Sequence, residues 1–114
     1  VWSNRYSPDS GWGTPERVEN LLGPARGAQI AIEANGAALA IWAHTSEGVR
    51  HNVMVNRYAP GSGWGTPVRI GRTATEAEFT DEPKIKIDPS GAALAVWQQL
   101  PANGRYNIWA NRFE

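Results

Sequence analysis

The sequence predicts an all-β chain built from four-stranded antiparallel units, with two such units in its 114 residues. Three observations predict it. The chain repeats itself with a period of about 52 to 55 residues. Its apolar residues alternate with period two, and no stretch carries the helical period. Twelve glycines and eight prolines cut the chain into short runs, as many turns between short strands require.

The repeat is plain on the page. "VWSNRYSPDS" (1–10) returns as "VMVNRYAPGS" (53–62), and "GWGTP" stands at both 11–15 and 63–67. "IAIEANGAALAIW" (30–42) returns as "IKIDPSGAALAVW" (85–97). A third copy of the lead, "NIWANRF", closes the chain at 107–113. The repeats therefore span about 1–52 and 53–107, with slack between Val18 and Gln29.

Each repeat reads as four strands, labelled a to d. "PKIKID" (83–88) alternates, with Ile85 and Ile87 on one face and Lys84 and Lys86 on the other. "PSG" and "ANG" make tight turns. "AALAVWQQ" (92–99) is apolar on both faces, as a strand between two layers must be. "YNIWANRF" (106–113) alternates again. The Gly/Pro/Ser loop and "WGTPVRIG" (64–71) supply a turn and a short fourth strand, and Pro67 at the start of that strand suits an edge because a missing N–H costs little there. A four-stranded antiparallel unit repeated with both faces apolar predicts a β-propeller blade. A single β-sandwich with duplicated halves is the alternative.

"YSPDSGW" resembles a shortened Asp-box of the sialidase-like BNR repeat, with Ser7, Asp9, Gly11 and Trp12 matching and two residues missing before the tryptophan. The second copy keeps only Gly63 and Trp64; Ala59 and Gly61 stand for the serine and aspartate. The wider pattern is similar to tandem repeats of bacterial extracellular propeller proteins, which implies a secreted or cell-surface setting. In that family the Asp-box is a structural turn, so the resemblance implies a fold and no sialidase activity.

Two blades do not close a ring, because propellers use roughly four to eight. Along the chain the strands run c-d, a-b-c-d, a-b-c, so the first unit holds the outermost strand that the last one lacks. The order predicts assembly with copies of itself, three for six blades or four for eight. One copy of strand c is then surplus at each junction (Val1–Tyr6 against Ile108–Phe113), and the sequence leaves open which one pairs.

Chemistry is sparse. Lysine plus arginine equal aspartate plus glutamate at 11 each, so no net field draws the chain to nucleic acid. No cysteine is present to form a disulfide or thiolate site. No apolar run is long enough to cross a bilayer, no signal-peptide pattern is read, and no membrane insertion is expected. His44 and His51 lack the spacing of a metal site, and no cofactor is implied. "GSGWG" (61–65) lacks the lysine and helix of a phosphate loop. The acidic residues Glu76, Glu78, Asp81 and Glu82 crowd one loop without a counterpart in the first repeat, which favours a solvated loop over a glycosidase pair. Arg5, Arg57 and Arg112 recur in register, as structural residues do. No enzyme is predicted.

A lectin-like module remains. Trp12, Trp64, Trp42 and Trp97 recur in pairs, which core packing explains, while a tryptophan exposed between units is also what a sugar stacks on. The d–a and b–c loops share one rim, which gathers Arg26, His44, Arg50, His51, Glu76, Glu78, Gln98, Gln99 and Arg105. The candidate glycan-binding set is Trp12, Trp64, Trp42, Trp97, Arg26, His51, Gln98 and Arg105. Two rivals stand beside it: a ligand-free scaffold, designed or excised as a blade pair, and a fragment of a sialidase-like hydrolase.

Overall fold

A computed structural model describes residues 1–46, 50–71, 79–101 and 104–114, and every regular element among them is a strand. The chain opens with an interrupted hairpin of β1 (Trp2–Ser3), β2 (Tyr6–Ser7), β3 (Gly11–Trp12) and β4 (Glu16–Arg17). Its turn is tight: Ser10 N donates to Ser7 O over 3.3 Å, and Gly11 takes a φ of 76°, which a side chain would resist. Tyr6 pairs with Trp12 and Trp2 with Arg17. Pro15 and the glycines between these short pieces break the ladder.

The central sheet follows, with β5 (Ala25–Ile32), β6 (Ala38–Ser46), β7 (Arg50–Ala59), β8 (Gly63–Trp64) and β9 (Val68–Arg69). β8 and β9 both pair with β7, on either side of a break at Gly65–Thr66–Pro67. The expected fourth strand, with Pro67 at its start, is the short β9, while β8 adds a pairing inside the expected turn; Pro67, between them, gives the ladder no donor. Their register repeats the opening hairpin: Tyr58 faces Trp64, and Met54 faces Arg69. The third sheet is β10 (Phe79–Ile87), β11 (Ala93–Leu100) and β12 (Asn107–Phe113). All ladders are antiparallel, and strand order follows c-d, a-b-c-d, a-b-c. The described strands lie in separate sheets and close no ring.

Alternation along β6 sends neighbouring side chains into two different cores. Leu39 and Ile41, with Val53, pack against Ile85, Ala93, Ala95 and Trp97 of the third sheet. Ala40 and Trp42, with Met54, pack against Val18 at the end of the hairpin. Every residue from Ala38 to Thr45 is buried as a result. Its repeat mate β11 differs. Ala93, Ala95, Trp97 and Gln99 are buried, whereas Leu94 on the other face is 52% exposed. The same sequence pattern gives two-sided burial only where both faces are covered, so the sandwiched strand read from "AALAVWQQ" is realised in β6 and half-realised in β11.

Strand a carries the same irregularity in both sheets. The β5–β6 register shifts between Arg26 and Gln29, and the β10–β11 register shifts between Asp81 and Lys84, 55 positions on in each case. Gly27 has a φ of 62° inside the first bulge, and Glu82 a φ of 50° inside the second. Bulges of this kind recur where a strand must be re-aimed.

Candidate functional site

Two grooves separate the three layers. The first lies between the hairpin and the central sheet, has a volume of about 450 Å³, and is lined by Tyr6, Trp12, Tyr58 and Trp64 among others. Cross-strand pairing sets these rings edge to face. Tyr6 and Trp12 have centroids 5.5 Å apart at 66°, and Tyr58 and Trp64 stand 5.5 Å apart at 65°. Trp64 is half-buried, and its Nε1 donates to Ser3 Oγ over 2.8 Å. Arg5 lies 5.2 Å over the Tyr58 ring and donates from Nη2 to Gly36 O over 3.1 Å. Gly36 takes a φ of 86°, a backbone conformation that favours glycine in the "ANG" turn. Trp12 is 69% exposed.

The second groove, of about 360 Å³, lies between the central and third sheets. Leu39, Val55, Ile70, Ile85, Ala93 and Phe113 make it mostly apolar, with Arg57, Asn111 and Arg112 at its polar border. The two grooves are repeat mates. Asn4, Arg5, Gly13 and Thr14 of the first correspond to Asn56, Arg57, Gly65 and Thr66 of the second, and Ile30 and Ala38 correspond to Ile85 and Ala93.

The remaining sequence candidates fall elsewhere. Trp42 is fully buried and Trp97 nearly so, as core packing requires, and neither ring presents a face to a ligand. Arg26, His51 and Gln98 do gather at one rim, at the bulged end of strand a. Arg26 Nη2 lies 3.0 Å from His51 Nδ1, and the His51 ring stacks 4.7 Å from Phe79. Burial lowers the His51 pKa below its ordinary 6.5, and the Arg26 charge lowers it further, against a smaller opposing pull from Asp81. The ring is therefore neutral at pH 7, and its Nδ1 accepts from Arg26. Thr80 Oγ1 donates to His51 O over 3.2 Å, which ties the central and third sheets together here. Gln98 Nε2 donates to Glu82 Oε2 over 3.1 Å. Trp97 Nε1 donates to Gln99 Oε1 over 3.4 Å. His44 is buried and donates from Nε2 to Leu22 O over 3.0 Å, a structural contact. Arg105 is exposed near the same end. Glu76, Glu78 and the Arg50 side chain lie outside the described residues.

The grooves and the rim are thus separate places, and the four groove rings do not meet the Arg26–His51 pair. Sequence reading passed over Tyr6, Tyr58 and Asn56 as ring and clamp residues, although the repeated "NRY" held that signal. Among the described residues, no group of three or more His, Asp or Glu side chains could hold a metal ion. No helix among them is long and apolar enough to cross a membrane.

The chain matches no protein-family model, no curated protein and no solved structure. Its functional reading rests on its own geometry.

Proposed function

We propose that the chain is a non-enzymatic module of two propeller blades that assembles head to tail with copies of itself. One observation carries this reading: the chain leaves uncovered two faces whose repeat mates it packs together. Ile85 of strand a is buried against Leu39, Ile41 and Val53 of the preceding sheet. Its counterpart Ile30 is 51% exposed, as is Ile32 at 65%. On the opposite end, Leu94 and Ile108, the counterparts of Leu39 and Val53, are 52% and 71% exposed. Packing the second pair of faces between molecules would repeat a contact the molecule already makes. Because the two faces differ, the contact is heterologous and closes only as a ring. Size-exclusion chromatography with light scattering tests it, with about three or four copies expected. A folded single chain at micromolar concentration would refute it.

A second reading, which competes with assembly because Ile30 and Ile32 line the same groove, concerns the ligand. The first groove combines four aromatic rings with Arg5, Asn4 and Glu16, a mixture that suits the apolar faces and hydroxyls of a carbohydrate. A glycan array probed with the wild type and with Tyr58→Ala tests it. Binding that survives the substitution, or no binding at all, removes the carbohydrate from the reading. The absence of binding would leave a scaffold.

A further inference from the structure

We infer that the apolar cavity between the central and third sheets is a socket for Trp12 of a second copy. The inference rests on the head-to-tail reading above and names the residue that makes the junction.

Trp64 supplies the template. It sits on the d strand of the central sheet, leans into the groove toward the preceding unit, and touches Ser3 there. The third sheet has no d strand among its described elements, which are β10, β11 and β12. The place a Trp64 counterpart would fill is the second groove. Its walls match the surroundings of Trp64 position by position: Val55 stands for Ser3, Ile85 for Ile30, Ala93 for Ala38 and Phe113 for Tyr58. The volume of about 360 Å³ suits one indole ring, and the walls are apolar.

Trp12 is the matching plug. It lies on the hairpin position equivalent to Trp64, against Tyr6, with the same ring distance and nearly the same tilt. Unlike Trp64 it is 69% exposed. A chain cannot seat its own Trp12, because the hairpin and the cavity lie on opposite faces of the central sheet. A second copy can, and its hairpin then sets a d strand beside the described strands of the third sheet.

Complementation between two full-length variants tests the socket. Trp12→Ala removes the plug at an exposed position and keeps the socket. Val55→Trp fills the socket from within and keeps the plug, with Val55→Phe in reserve should that variant not fold. Circular dichroism and a thermal melt verify folding first. At a concentration where the wild type shows about three or four copies, each variant alone should run as a single chain. Their equimolar mixture should run as two chains, because one intact junction is restored. Either variant assembling like the wild type, or a mixture that stays single-chain, overturns the socket while leaving assembly itself standing. A single-chain wild type overturns both.

Discussion

Asn56 of β7 reaches across to the end of the opening hairpin, where its Nδ2 donates to Val18 O over 2.6 Å while also donating to Gly65 O over 2.9 Å. Its Oδ1 accepts from Arg57 N over 2.8 Å, so a side chain only 2% exposed is satisfied at both ends. Asn111 repeats the first of these bonds to Ile70 O, the counterpart of Val18, over 3.0 Å. Truncating Asn56 would leave the buried Val18 carbonyl without this donor, which costs more than the bond itself contributes. Asn56→Ala should lose about 2–3 kcal/mol in urea unfolding. Asn111→Ala, at an exposed site, should lose well under about 1 kcal/mol. Equal losses would contradict the clamp.

The paired tryptophans should part company in the same way. Trp64 is half-buried against the Val18–Trp42 core and bonded to Ser3. Trp64→Ala should cost about 2–3 kcal/mol, below the cost for a fully buried aromatic. Trp12→Ala should stay within about 0.5 kcal/mol in the unassembled chain. Denaturant titration of dilute protein measures both. A Trp64→Ala variant as stable as the wild type would mean that the ring is a platform and no anchor.

Glu82 occupies the left-handed region at φ 50°, where its repeat mate is Gly27. A side chain there is strained by roughly 1–2 kcal/mol. Glu82→Gly relieves the strain, loses the exposed bond from Gln98, and frees the unfolded chain somewhat. The net should be a gain of about 0.5–1 kcal/mol, read as a raised melting temperature. A loss would show that the Gln98–Glu82 contact outweighs the backbone.

His51 makes stability fall with acidification. Its folded pKa lies below the ordinary 6.5, so the unfolded chain takes up the proton first as the pH drops. The contribution is complete above 6.5 and is lost between that value and the lower folded one. The groups facing the ring are Arg26, Thr45, Phe79 and Asp81, of which only Asp81 favours the charged form. Melts between about pH 7 and pH 5 should show this slope in the wild type and a flatter one in His51→Gln. Identical slopes would exclude His51 as the cause.

Much of this architecture is legible in the sequence, because period-two alternation and repeated turns state strand identity directly. Ile85 against Lys84 and Lys86 told which face of β10 meets the core. Pro67 marked the start of the fourth strand, and β9 begins just after it, whereas the pairing of β8 with β7 inside the expected turn was not read. What stayed hidden has a common cause. Trp42 and Trp64 look alike in the sequence, yet one is enclosed on all sides and the other half-open, since burial depends on what the neighbouring layer brings. The Asn56–Val18 bond joins residues 38 positions apart, and no local pattern encodes that reach. Arg26 and His51 could be assigned to one rim from loop order, but their direct contact depends on the bulge in β5.

That bulge has a consequence for how such a chain can change over generations. It sits at the same point in strand a of both sheets, 55 positions apart, whereas the hairpin and the c-d part of the central sheet are offset by 52. The three-residue difference falls in the connection that leads into strand a, before the phase of inward and outward side chains is set. A one-residue insertion after the bulge would turn Ile30 or Ile85 to the wrong face and be selected against. Insertions ahead of it are free to accumulate. Unequal crossing-over between repeats would keep every core residue in phase, so the gene can gain or lose whole units while variation drifts to a single rim.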